Sequence, residues 1–143
     1  RQRQMCIRDS RYPGQEKGAI VSDVVELIDL YPTICAATGT VPPNHVAGID
    51  LSDITGMSGK PMTFMAFSKF HGGETVTSSE FSYTEFRDNH NGNLKGTMLF
   101  NLLTDPQENH NLSGTADYTA IQEKMKIHLD SLRTKAGIAQ FQD

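Results

Sequence analysis

Cysteine is scarce in this 143-residue sequence, limited to Cys6 and Cys35. Two cysteines cannot build a disulfide framework, and no Cys/His spacing resembles a zinc site. Cysteine usage therefore leaves the redox compartment open. Long apolar runs are missing as well, none approaching the roughly 18 residues that cross a bilayer. Basic charge is not in excess: 13 Lys and Arg stand against 17 Asp and Glu, for a formal net charge of −4. Nucleic acid and anionic membrane surfaces are not the expected partners. What is present is a globular composition, 37% hydrophobic and 21% charged, at a length that buries the core of one ordinary domain.

The chain starts with a stretch unlike the rest. Arg1–Ser10 is arginine-rich and has no apolar period. It resembles translated sequencing-adapter DNA of the kind that contaminates metagenomic assemblies, so residues 1–10 are expected to be non-native. On that reading Cys6 is no biological cysteine and the protein proper begins near Arg11.

Beyond Arg11 the pattern becomes protein-like. Ala19–Ile28, rich in valine and isoleucine, predicts a buried extended segment. Asp29 is the expected N-cap of a helix over Leu30–Thr38, with Pro32 in its first turn and Gly39 as its stop. Val41-Pro42-Pro43 forces an extended loop. Four strands follow: Met62–Phe70, apolar on both faces and so predicted central, then Glu74–Ser79, Glu80–Arg87 and Thr97–Leu103. Asn91-Gly92 predicts a type I′ hairpin turn. A last helix spans about Asp117–Ala136, with Ile121, Met125, Leu129 and Leu132 at helical spacing and Gly137 as terminator. The whole predicts a four-stranded antiparallel sheet with a helix on one face.

Two strings carry a family likeness. Ser22–Thr33, containing Asp29-Leu30-Tyr31-Pro32-Thr33, resembles the strand-to-helix passage of type I, formylglycine-dependent sulfatases, and Gly48-Ile49-Asp50-Leu51 matches the "G-x-s-L" that follows there. Met98–Leu112, with Asp105-Pro106, Glu108 and Asn111-Leu112, resembles the family's "LYDL-x-x-DP-x-E-x-x-NL" string, departing from it at Phe100-Asn101. Phe81–Arg87 is similar to a "Y-x-Y-T-E-W" strand of the iduronate-2-sulfatase-like subgroup. The likeness covers about Arg11–Leu132. It implies an alkaline-phosphatase-like α/β fold, with residues 11–56 ending the catalytic α/β domain and 57–143 forming the C-terminal subdomain.

The same resemblance implies a sulfuric ester hydrolase acting on a sulfated carbohydrate or a small sulfate ester. It further implies calcium and formylglycine as the parent enzyme's cofactors, and a periplasmic or secreted location whose signal region is not in this chain. The formylglycine motif is C-x-P-x-R, or its serine form. Cys6 is followed by Ile-Arg-Asp and Cys35 by Ala-Ala-Thr, so neither fits. No catalytic or metal residue is assigned, no cofactor is expected on this stretch, and alone it is expected to be inactive and to pack on a missing catalytic domain. Two rivals stay open: a stand-alone α+β binding module, and a fragment of a phosphatase or phosphonate hydrolase of the same superfamily.

Among single residues, Lys69 and His71 end a strand beside Gly72-Gly73. A cationic strand end next to a flexible turn suits the rim of a sulfated-sugar pocket, and both are taken as candidate substrate-binding residues. Asp105, Glu108 and Asn111 lack calcium-loop spacing and read as a turn. His110, Arg87, Asp88 and His90 read as solvated, His45 has no evident partner, and Met57, Met62, Met65 and Met98 read as core filler.

Overall fold

The computed structural model describes residues 23–52 and 65–135. The chain divides into two compact units. One holds helix α1 (Leu30–Thr38) and the loop after it; the other holds strands β1 (Ala66–Phe70), β2 (Gly73–Thr77), β3 (Phe81–Arg87) and β4 (Leu94–Asn101), helix α2 (Thr119–Lys135) and the short segment Asp23–Glu26.

In the first unit the local signals act as written. Pro32 sits in the first turn of α1, and Gly39 adopts φ 69°, donating its N–H back to Ala36 and Cys35 carbonyls. Asp29, however, does not cap the helix. A 3-10 turn over Leu27–Asp29 leads straight into α1, so Asp29 already has helical dihedrals, and its side chain makes no capping bond. Its carboxylate instead accepts the Ile49 N–H at 2.9 Å, while Thr33 Oγ1 accepts the Leu51 N–H at 2.9 Å and donates to the Asp29 carbonyl at 2.6 Å. Gly48 passes so close that a Cβ there would lie 2.2 Å from the Ile28 carbonyl oxygen. The two family-like strings of this region are thus two sides of one docked loop. The expected buried strand over Ala19–Ile28 is corrected where it can be seen: residues 23–26 form no strand, and Val25, Leu27 and Ile28 are exposed.

In the second unit the four strands run antiparallel in the order β1-β2-β3-β4. Side chains alternate across a sheet, and the register aligns Phe67, Val76, Tyr83 and Leu99 in one row. Met125 and Leu129, four apart on α2, close over that row and complete a buried core with Val76, Tyr83 and Leu99. Ile121 and Leu132 pack at its margin as their spacing predicts.

Three expectations fail here for physical reasons. β1 is an edge strand and not a central one: its sole described neighbour is β2, and Phe70 is 79% exposed. Its outward N–H at Phe67 is taken by the Glu26 carboxylate at 2.9 Å, which partly blunts the edge. The β3–β4 turn is not a two-residue type I′ turn, since only Gly92 has positive φ and a bulge falls at Phe86/Arg87. Asp88 rearranges it by accepting the His90 N–H at 2.8 Å, and the Asp88 carbonyl accepts from Gly92. Met98 points away from the core and is 39% exposed, whereas Met65 packs against it. Residues 1–10, Met57, Met62 and Gly137 lie outside the described residues.

The loop after β4 explains the second family-like string. Asp105 accepts the N–H groups of Asn109 and His110 at 2.7 and 2.8 Å. Asn111 Oδ1 accepts the Leu99 N–H at 2.9 Å and its amide donates to the Thr97 carbonyl at 3.2 Å, so one side chain continues the ladder along the outer edge of β4. Glu108 adopts φ 54° in the same turn.

Candidate functional site

The row of side chains next to the core is charged. Lys69, Glu74 and Glu85 are cross-strand neighbours on β1, β2 and β3. They share the α2-covered face with Phe67, Val76 and Tyr83, because each lies two residues from one of them. Glu74 and Glu85 are buried, at 7% and 1% exposure, and two buried carboxylates side by side need a cation between them. Arg133 supplies it from α2, one turn beyond Leu129. Its Nε donates to Glu74 Oε2 at 2.5 Å, its Nη2 to Glu85 Oε2 at 2.7 Å and its Nη1 to Asp130 at 2.5 Å.

The outer oxygens and neighbours extend the row at both ends. Lys69 Nζ is 2.9 Å from Glu74 Oε1. Arg87 Nη2 donates to Glu85 Oε2 at 2.7 Å and its Nη1 to the Gly92 carbonyl at 3.1 Å. Tyr83 donates its hydroxyl to Glu85 Oε1 at 3.1 Å. Burial works to raise both carboxyl pKa values. It is outweighed by Lys69 and Arg133 at Glu74, and by Arg133 and Arg87 at Glu85, so both sit below the usual carboxylate range. Burial, reinforced by Glu85, pushes the Tyr83 phenol upward. Arg133 is held charged because its carboxylates, Glu85 foremost, overcome the effect of burial.

The two end cations open onto one small cavity of about 50 Å³ between the hairpin tips, lined by Lys69, His71, Glu74, Arg87, Asp88 and Asn89. It exceeds the space of one water and falls far short of the roughly 300–1,000 Å³ of a complete small-molecule site. The candidates Lys69 and His71 are thus brought to a common opening. His71 holds it in shape with φ 51°, its ring edge-on to Phe70 at 4.2 Å. Gly72 is required beside it, since a Cβ would lie 2.3 Å from the Arg87 carbonyl oxygen, and Arg87 N–H donates to the Gly72 carbonyl at 2.7 Å. Asp88 pairs with Lys95 at 2.7 Å, and this bond with the His90 amide lowers its pKa to about 2. Neither Arg87 nor Asp88 is the freely solvated turn residue that its place near the hairpin tip suggests. His110 is solvated, its side chain 85% exposed.

The sequence reading missed Glu74, Glu85 and Arg133. A signal was available: both glutamates have the strand parity of core residues, and Arg133 continues the Met125–Leu129 stripe of α2. The described residues do not fit a metal or a formylglycine centre. Among them no group of three or more His, Cys, Asp or Glu side chains could hold a metal ion, and Cys35 is a buried free thiol on α1. No helix among them is long and apolar enough to cross a membrane.

Residues 5–135 match the family described as N-sulphoglucosamine sulphohydrolase, C-terminal. Arylsulfatase K of Xenopus laevis is 29% identical over 139 residues, covering 88% of this chain and 25% of that protein. The chain thus spans about a quarter of that relative's length. A 2-O GAG sulfatase superposes with a TM-score of 0.63 at 27% identity, over 76% of this chain and 24% of its own. The phosphonate monoester hydrolase of Agrobacterium radiobacter superposes at 0.59 and 26% identity, over 75% and 24%. With the sheet, the covering helix and a match across nearly the whole sequence, the chain belongs to the N-sulphoglucosamine sulphohydrolase C-terminal family of sulfatases.

Proposed function

We propose that this chain is the C-terminal part of a sulfatase that hydrolyses sulfate esters of a sulfated carbohydrate, nearest the iduronate-2-sulfatase-like subgroup. The observation that carries the reading is the family match over residues 5–135. The nucleophile and metal belong to the remainder of the parent enzyme: formylglycine and calcium there, neither held by residues described here. Alone the chain is inactive. Residues 57–143 pack on the catalytic domain that precedes them and wall one side of its pocket, and the parent works in the periplasm or outside the cell. Lys69 and His71 form the rim that meets the sulfated sugar, a role supported by their common cavity.

A second reading, a phosphonate or phosphate ester hydrolase, is favoured by the likeness to the phosphonate monoester hydrolase. Both chemistries want cations around an oxyanion, so the rim does not separate them. Expressing the parent enzyme and assaying a sulfated oligosaccharide against a phosphonate monoester does. Sulfate release as the faster reaction supports the first reading, and phosphonate hydrolysis as the faster one replaces it. For the rim, Lys69→Ala is expected to raise KM for the sulfated oligosaccharide about tenfold with kcat little changed. An unchanged KM removes Lys69 from the rim.

A further inference from the structure

The cavity's two cations are each held by one of two buried carboxylates, and those carboxylates are held by a single guanidinium from another element. Glu74 gives one oxygen to Lys69 and the other to Arg133. Glu85 gives Oε2 to both Arg133 and Arg87. Arg133 comes from the last turns of α2, 59 residues from Glu74 and 48 from Glu85 in sequence. Its planar fork holds two carboxylates at a fixed separation, which a lysine ammonium cannot reproduce.

From this juxtaposition we infer that Arg133 is a positioning residue for the rim: by orienting Glu74 and Glu85 it sets Lys69 and Arg87 at the hairpin-tip cavity, so the C-terminal helix governs binding of a sulfate group there. The inference rests on the rim reading given above. Without the fork, two adjacent buried carboxylates repel each other. They are relieved only by taking up a proton or by drawing Lys69 and Arg87 inward, and either change moves the cations from their present sites. The remaining charges near the cavity, Asp88 paired with Lys95 and the exposed Asp130 on Arg133, lie outside the two-carboxylate row.

Sodium sulfate titrated into the 143-residue chain at pH 8, against sodium chloride of equal ionic strength, tests this by amide NMR. Saturable shifts at Lys69, His71 and Gly72 are expected in the wild type, and their loss in Lys69→Ala. Arg133→Lys keeps the charge and favours a folded chain but loses the fork. It is expected to give a folded spectrum with sulfate affinity reduced about tenfold and a moved Lys69 side-chain Cε signal. Arg133→Met is expected to weaken sulfate further. Wild-type affinity in folded Arg133→Lys, with Lys69→Ala impaired, overturns the positioning role and leaves the rim standing. No saturable shift in the wild type overturns the rim reading and the inference with it. A merely structural Arg133 lowers the melting temperature without changing sulfate affinity in the folded variant.

Discussion

The two units hold themselves together by different means. Around α1, order comes from backbone amides meeting side-chain oxygens: Ile49 on Asp29, Leu51 on Thr33. Apolar surface there is left outside, with Leu27 72%, Ile34 61% and Val41 89% exposed. Around the sheet, order comes from an apolar row closed by α2 and from the charged row beside it, where Tyr83, Glu85, Leu99 and Leu129 are almost wholly buried. Net hydrogen bonds contribute about 1 kcal/mol each, whereas burying a leucine contributes about 2–3 kcal/mol. The sheet unit carries its own core. The α1 loop leaves its apolar side chains exposed and is held by side-chain bonds to backbone amides.

The largest expected effect breaks the charged row. Arg133→Met leaves two buried carboxylates without their shared cation and is expected to destabilise the sheet unit by about 3–5 kcal/mol in urea denaturation at pH 7. The same row sets a pH dependence. Glu74 and Glu85 titrate lower when folded than when unfolded, so their stabilisation is full above the unfolded carboxyl pKa, about 4.5, and is lost as pH falls through the lower folded values. Stability of the wild type is therefore expected to fall as pH drops below about 4.5. In Arg133→Met that acid-dependent loss shrinks, and a fall as steep as in the wild type assigns it to other groups.

Next comes Leu129→Ala, expected to cost about 2–5 kcal/mol by opening a cavity under the sheet. The exposed Ile34→Ala on α1 is expected to stay within about 0.5 kcal/mol. Comparable costs for the two would erase the contrast between the units. Smaller than the Leu129→Ala effect is that of Gly48→Ala, which forces a Cβ against the Ile28 carbonyl and is expected to cost about 1–3 kcal/mol as an overpacking strain. Hydrogen exchange at the Ile49 and Leu51 amides should rise in that variant while Leu99 stays protected. A matching rise at Leu99 would couple the two units.

Which of these features the sequence reveals follows from how local their causes are. The span of α1 is legible because Pro32 and Gly39 act within one turn of where they stand. The α2 stripe is legible because its period repeats over four apolar positions. Asp29 misleads because capping depends on a 3-10 turn whose presence no single residue marks. β1 misleads because edge or centre is decided by pairing with distant strands, not by its own composition. Lys69 and His71 could be singled out from the adjoining glycine turn. The carboxylates behind them have the strand parity of core residues, but what neutralises them there is Arg133, 59 and 48 residues away in sequence.

The central proposal, that this chain is the C-terminal part of a sulfatase, is tested most directly by sequencing the source DNA upstream of the Arg11 codon. The account predicts an in-frame C-x-P-x-R, or its serine form, following aspartates and preceding a lysine and a histidine. A native start codon opening a complete short gene at that point would contradict it and leave a non-catalytic α+β module.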